Sequence, residues 1–271
     1  MSNRHKVGVV QMTSRGEVAE NLAVVDRLVR RGAADGCELV VLPECFAYLG
    51  REEGKLPITE PLPQGGPILA QCQALAKELG VELILGGFWE RGSDPGHAKN
   101  ACVQVRSDGS VGAVYRKIHL FDVDLPNGTQ LRESETVEAG TEPIVADAVV
   151  GKLGLSVCYD LRFPELYRAL VDQGARVLAV PAAFTLSTGK DHWHVLLRAR
   201  AIEAQCFVLA AAQTGHHYGK RISYGHALIC DPWGTVLAEC GDGEGIAVAT
   251  IDLDVVDRVR GSLPSLRHRR L

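Results

Sequence analysis

The chain has 271 residues, 46% hydrophobic and 23% charged, with a formal net charge of −4. That is the balance of an ordinary globular protein, long enough to bury a core without staples. It offers no electrostatic basis for binding nucleic acid or an acidic membrane surface, and no run of about 18 apolar residues is present to span a bilayer.

Short apolar, β-branched runs punctuated by turn residues predict strands over residues 7–12, 38–42, 81–88, 101–105, 153–158, 176–180, 206–212, 227–230 and 245–251. Helices are predicted over 21–34, where Leu22, Val25, Leu28 and Val29 share a face, and over 67–80, which opens on Pro67 and stops at Gly80. Two more are predicted over 163–174 and 191–205, the last with Asp191 as a candidate cap. Strands alternating with helices argue α/β layering. Residues 223–251 instead read as an antiparallel meander, with turns at Asp231-Pro232-Trp233-Gly234 and Gly241-Asp242-Gly243. Residues 56–67 read as a surface loop by composition. The polar segment 121–140, containing Pro126-Asn127-Gly128, reads as a long loop of the kind often kept for function. No linker or repeat divides the chain, so residues 1–271 are expected to form a single domain.

The eight cysteines show neither C-x-x-C pairs nor zinc-ligand spacing, which argues against a disulfide framework or a metal site. The first residues lack the apolar core of a signal peptide. Scattered free thiols then point to a cytoplasmic, reducing location. The basic end Arg267-His268-Arg269-Arg270 reads as a solvated terminus, or as one docked on acidic groups of a neighbouring subunit.

One cysteine stands apart. In Gly154-Leu155-Ser156-Val157-Cys158-Tyr159-Asp160-Leu161-Arg162-Phe163-Pro164-Glu165 an apolar strand runs into Cys158, and a helix follows near Pro164. A cysteine at such a turn is presented at a sheet edge, where the backbone N–H of Tyr159 would face a developing oxyanion. A buried, inert thiol is equally compatible with this pattern alone. Two other strands also end in charged groups: Leu42-Pro43-Glu44 in a carboxylate, and Tyr115-Arg116-Lys117-Ile118-His119-Leu120 in a lysine. Taken singly, Glu44 reads as a turn cap and Lys117 as a solvated charge.

Leu42-Pro43-Glu44, the run Tyr115 to Asp122 and the run Gly154 to Leu166 together, in this order and spacing, resemble the nitrilase superfamily of carbon–nitrogen hydrolases. The resemblance extends over nearly the whole chain. It implies a four-layer α-β-β-α sandwich, Glu44 as general base, Lys117 as stabiliser of the tetrahedral intermediate and Cys158 as nucleophile. It also implies a second glutamate after the lysine. Glu133 fits that position, with Glu135 as a neighbouring competitor. The expected chemistry is attack by Cys158, loss of ammonia, a thioester and its hydrolysis by water, with no cofactor or metal. A lysine beside the thiol would lower its pKa, and a glutamate in a dry pocket would have a raised one.

The later runs Gly189 to Glu203, Ala210-Ala211-Ala212-Gln213 and Asp231-Pro232-Trp233-Gly234 resemble the Nit branch, amidases that repair deaminated glutathione, with the ω-amidase branch acting on α-ketoglutaramate and α-ketosuccinamate as near neighbour. A non-catalytic binding scaffold of the same fold is a third reading. The substrates carry carboxylates. Arg162 is a candidate to hold one bidentately, or else to pair with Asp160 or Glu165. Phe184, Thr185 and Tyr48 are candidate pocket walls. His192 and His194, two apart on a helix, face different ways and make no metal pair. They are the candidate bases of a rival Cys–His hydrolase. His216-His217 read as an exposed loop pair, Arg198, Arg200 and Glu203 as a charge network, Cys206 and Cys230 as small core residues, and Trp233 as a turn anchor. The resemblance implies a homodimer or larger homo-oligomer built through the helices flanking the nucleophile.

Overall fold

The computed structural model describes residues 3–124 and 130–270. The first strand, β1 (Arg4–Met12), is followed by α1 (Val18–Ala34), β2 (Leu39–Val41), α2 (Pro67–Leu79), β3 (Glu82–Arg91), β4 (Ala98–Val105) and β5 (Val111–Arg116). β1, β2 and β3 run parallel, while β4 and β5 return antiparallel. Alternation along these strands decides which side chain serves which layer. Leu39 and Val41 turn one way, into the core shared with the second sheet. Val40 and Leu83 turn the other way, onto Leu22, Val25, Leu28 and Val29 of α1 and Leu69 and Leu75 of α2. Each such aliphatic side chain contributes about 2 kcal/mol on full burial.

A hairpin of β6 (Asp122–Asp124) and β7 (Gln130–Arg132), a short 3₁₀ turn (Glu133–Glu135) and β8 (Val137–Glu138) occupy the segment expected to be a structureless loop. Its Pro126-Asn127-Gly128 lie outside the described residues. The second sheet is built from β9 (Val145–Ala148), β10 (Gly151–Leu155), β11 (Val177–Ala179) and β12 (Phe207–Ala210), with α3 (Pro164–Asp172) and α4 (Leu186–Ala204) on its outer face. The chain then crosses between sheets. β13 (Ala212–Tyr218) and β14 (Arg221–Tyr224) extend the first sheet, whereas β15 (Leu228–Cys230) and β16 (Val236–Glu239) extend the second. β17 (Gly245–Asp252) returns to lie antiparallel along β1. α5 (Asp254–Ser262) follows. The layers are helix, sheet, sheet, helix: an α-β-β-α sandwich.

Several local expectations are corrected. The predicted meander holds only for β15 and β16, because β17 leaves them for β1 in the other sheet. Alternation specifies the faces of a strand, not its partner. The predicted strand 206–212 is two strands in different sheets. α4 starts at Leu186, so Asp191 lies inside the helix, and Thr185 occupies the N-cap position. The stretch 56–67 is not all surface: Glu60 is buried and its carboxylate accepts the backbone N–H groups of Ile68 and Leu69 at 2.7 and 3.0 Å. It thus caps α2 from eight residues away in sequence, a position helix-start patterns do not cover. His216 and His217 lie in β13, and only His216 is exposed. Arg269 of the basic tail pairs with Asp172 of α3 in the same chain. No described helix is long and apolar enough to cross a membrane.

Candidate active site

Four segments end at one rim of the sandwich. The turn after β2 carries Glu44, and it can approach β3 because that strand offers Gly86 and Gly87 there. A Cβ on Gly86 would lie 2.4 Å from the Leu42 carbonyl oxygen, and one on Gly87 2.4 Å from the Cys45 nitrogen. Gln213 of β13 donates to the Glu44 carbonyl at 3.0 Å and so fixes the turn from the other side. Lys117 follows directly on β5, its N–H donating to the Asn100 carbonyl at 2.9 Å. Glu133 opens the 3₁₀ turn after β7.

These side chains meet out of water. Lys117 Nζ lies 3.1 Å from Glu44 Oε1 and 2.8 Å from Glu133 Oε2, and is only 2% exposed. Glu44 Oε2 accepts the Ala183 N–H at 3.0 Å, and Glu133 Oε2 also accepts the Phe121 N–H at 2.7 Å. Of the two glutamates in contention, Glu133 touches the lysine, whereas Glu135 lines the cavity without an ion pair to it. Two carboxylates, Glu44 buried and Glu133 partly so, surround one ammonium and must be stabilised by added hydrogen bonds. Asn100 of β4 supplies them, its Nδ2 donating to Glu44 Oε1 at 3.0 Å and to Glu133 Oε1 at 3.1 Å. Asn100 was missed in the sequence, where it is one polar residue inside an apolar strand.

Cys158 sits at the head of a 3₁₀ turn (Cys158–Arg162) with φ of +48°, a left-handed conformation that costs a non-glycine residue energy. Its N–H donates to the Pro181 carbonyl at 2.8 Å, and the N–H of Asp160 to that of Val157 at 3.1 Å. The Tyr159 N–H between them goes to neither carbonyl. Asp160 holds the turn. Fully buried, it accepts the Val157 N–H at 2.8 Å, the Tyr115 hydroxyl at 2.7 Å, and both the backbone N–H and ring Nδ1 of His119, at 3.1 and 2.8 Å. The Cys158 turn and the Lys117 strand are therefore tied through one carboxylate.

The thiol of Cys158 lies near enough to Glu44 and Lys117 for both charges to act on it. Burial pushes that thiol well above its ordinary range; Glu44 adds to the rise and Lys117 opposes it without prevailing. The expected lowering by the lysine is thus outweighed by desolvation. The converse correction applies to Glu44. Burial alone would raise it, but Lys117, the thiol and Asn100 together hold it below the usual carboxylate value. Burial disfavours the Lys117 cation, yet Glu133 and Glu44 more than reverse this and keep it charged. A raised thiol keeps its proton and a lowered Glu44 carboxylate is ionised, an arrangement compatible with general-base catalysis.

A cavity of about 520 Å³ opens over the four groups, within the size range of small-molecule sites. Tyr48, Phe184, Thr185, Tyr159 and Arg162 line it, as do Trp89, Lys55 and Arg221, which had not been singled out. The Tyr48 hydroxyl is spent on the Arg51 carbonyl at 2.6 Å, so it is the ring that faces the cavity wall. Thr185 Oγ1 lies 2.9 Å from the Thr188 hydroxyl. The Arg162 guanidinium lies 5.1 Å over the Phe184 ring and 5.9 Å from that of Tyr159, with Nη1 3.2 Å from His192 Nδ1. It forms no ion pair with Asp160 or Glu165. His192 thus contacts the arginine rather than the thiol, and His194 lies 2.8 Å from Glu239 on the outer surface. Arg200 pairs with Glu203 at 2.6 Å as a structural link, while Arg198 donates to the Gly234 carbonyl at 2.8 Å. Cys206 and Cys230 are buried, and Trp233 is exposed.

Residues 6–261 match the family model described as carbon-nitrogen hydrolase. The chain is 48% identical over 267 residues to the deaminated glutathione amidase of Synechocystis, covering 96% of both chains. It is 46% identical to the human deaminated glutathione amidase, covering 97% of this chain and 82% of the relative. The crystal structure of the C. elegans NitFhit protein superposes with a TM-score of 0.93 at 43% identity, covering 99% of this chain but 66% of that longer one. With its four layers and its match to nearly the whole family model, this chain belongs to the carbon–nitrogen hydrolase family and is a hydrolase acting on an amide.

Proposed function

We propose that this protein hydrolyses the amide of deaminated glutathione, using Cys158 as nucleophile, Glu44 as proton carrier, and Lys117 and the Tyr159 N–H as stabilisers of the oxyanion. The observation that carries the reading is the buried Lys117 ammonium held between Glu44 and Glu133, at 3.1 and 2.8 Å, in the wall of the cavity that Cys158 also lines. The names of the relatives at 46% and 48% identity support the substrate. As sulfur attacks the amide carbon, its proton passes to Glu44. Charge builds on the carbonyl oxygen, where Lys117 and the Tyr159 N–H receive it. The C–N bond then breaks and Glu44 returns the proton to the amine, leaving a thioester. Water, deprotonated by Glu44, hydrolyses the thioester and restores the thiol. For deaminated glutathione the leaving amine is cysteinylglycine; ammonia leaves only from substrates such as α-ketoglutaramate. Glu133 holds Lys117 in place. Arg162 binds the α-keto carboxylate, with Phe184, Thr185 and Tyr48 as walls.

The chain works as a single carbon–nitrogen hydrolase domain, in the cytoplasm, where eight unpaired cysteines suit a reducing environment. It pairs with a second copy through the outer face of α4. Val195 and Ile202, seven residues apart on that helix, are 67% and 47% exposed, beside Trp233 at 61%. An apolar strip of this kind marks an interaction surface.

The test is turnover by purified protein. Deaminated glutathione should be hydrolysed with a higher kcat/KM than α-ketoglutaramate. The reverse preference would favour the ω-amidase reading. Cys158→Ala should remove all turnover while leaving the fold intact, and activity persisting in it would sink the mechanism.

A further inference from the structure

Five cationic side chains line the cavity: Lys55, Lys117, Arg132, Arg162 and Arg221. Three already have carboxylate partners. Lys55 pairs with Glu52, Lys117 with Glu44 and Glu133, and Arg132 with Asp124. Among the described residues Arg162 and Arg221 make no ion pair. Arg162 is accounted for by the α-keto carboxylate. Arg221 is not.

Arg221 opens β14, half-buried in the cavity wall. One terminal nitrogen donates to the Ala183 carbonyl at 2.8 Å, while its Nε is buried without an acceptor. Its other terminal nitrogen makes no hydrogen bond to a described residue, so that arm of a guanidinium in the cavity wall is left for an acceptor on a ligand. Its location indicates which part of a ligand that is. Ala183 gives its N–H to Glu44 Oε2 at 3.0 Å and its carbonyl to Arg221, so the two groups grip the same residue. Glu44 returns the proton to the departing amine, and the amine half of the substrate therefore lies on that side. Arg162, packed over Phe184 and close to Tyr159, lies at the nucleophile turn instead.

We propose that Arg221 is a second anion-binding subsite, taking a carboxylate on the amine half of the substrate. The pocket is then built for amides with a carboxylate on each half, one for Arg162 and one for Arg221. This rests on the amidase reading above and deepens it. Deaminated glutathione has both groups, the second being its glycine carboxylate, whereas α-ketoglutaramate has only the first.

The test compares kcat and KM for these two substrates in the unaltered protein, Arg221→Met and Arg221→Lys. Arg221→Met should raise KM for deaminated glutathione about tenfold or more, mainly without loss of kcat, and so lower the preference for it over α-ketoglutaramate about tenfold. Arg221→Lys should recover part of that preference. An equal loss on both substrates, or an unchanged preference, overturns the subsite; if the Met variant fails to fold, an unchanged preference in Arg221→Lys does so. Failure of the unaltered protein to hydrolyse deaminated glutathione while hydrolysing α-ketoglutaramate overturns the substrate reading, and the two-carboxylate class with it. That outcome is seen before any substitution is made.

Discussion

The side-chain amide of Asn100 donates to the carboxylate of Glu44 at 3.0 Å. Its other hydrogen goes to Glu133, so one neutral group serves two carboxylates, one buried and one partly buried, that share the single ammonium of Lys117. Asn100 is one of the groups holding Glu44 below the usual carboxylate value. Asn100→Ala should therefore raise the Glu44 pKa and move the acid limb of the kcat/KM–pH profile upward, with an activity loss of about 10- to 100-fold at neutral pH. Asn100→Asp, which adds a third carboxylate, should be worse. An unmoved acid limb in the Ala variant would assign Asn100 a merely structural role.

The pH profile of the unaltered protein tests the protonation states directly. In the proposed mechanism Glu44 acts as base only when ionised. Its folded-state pKa is lowered, so kcat/KM should fall only as pH drops below the usual carboxylate range of about 4. The Cys158 thiol is raised, so no gain should appear around the ordinary thiol pKa of about 8.5. Glu44→Gln should lose about a thousandfold or more in kcat, since an amide in place of the proposed base cannot take the thiol proton. A rate that climbs through pH 8–9 in the unaltered protein would mean that a preformed thiolate is the nucleophile.

Asp160 is fully buried and accepts hydrogen bonds from Val157, Tyr115 and His119. Asp160→Leu removes the acceptor for all of them and should cost about 3–5 kcal/mol in stability, read from urea unfolding. Asp160→Asn, which keeps an acceptor oxygen but turns an amide toward donors, should cost less while still lowering kcat, because the Cys158 turn loses its tie to the Lys117 strand. Equal stability of Asp160→Leu and the unaltered protein would refute the tie.

His217 provides a pH dependence of stability separate from catalysis. It is buried, with Nδ1 2.7 Å from the Ser14 carbonyl oxygen and Nε2 2.9 Å from the Ser223 hydroxyl, a pairing that suits the neutral ring. Burial lowers its pKa to about 4, and Arg221, His216 and Arg15 also disfavour its charge. Below the ordinary histidine value of about 6.5 the unfolded chain takes up this proton first. The stability associated with His217 is thus complete above that value and is lost as pH falls from about 6.5 to about 4, by about 3 kcal/mol in all. In His217→Gln the slope of unfolding free energy against pH over this window should be shallower. An identical slope would show that the ring is not neutral in the fold.

The outer face of α4 tests the assembly. Val195→Asp with Ile202→Asp should convert a dimer to a monomer by light scattering, since two charges in an apolar contact cost several kcal/mol. A monomeric unaltered protein would remove the proposal.

The three motifs of the proposed catalytic site were legible as separate strand ends, because a short apolar run closing on Glu44, Lys117 or Cys158 is a local pattern. The existence of most strands was legible for the same reason, because an apolar run is a property of neighbours in the chain; the sheet that each strand joins was not. Glu133 rather than Glu135 followed from resemblance, and contact with Lys117 then separated them. Asn100, Arg221 and the capping role of Glu60 were not legible. Each acts on partners brought close only by sheet pairing or a returning loop, and nothing adjacent to them in sequence marks that. The same holds for β17, whose residues specify a strand but not that it pairs with β1.

The proton of Cys158 is decided in the same way. By itself the sequence determined that a thiol stands at a strand-to-helix turn in a chain with a carboxylate and a lysine at two other strand ends. Only the tertiary structure decided where its proton rests. Desolvation and the field of Glu44 depend on what surrounds the sulfur in three dimensions, and they outweigh the nearby lysine.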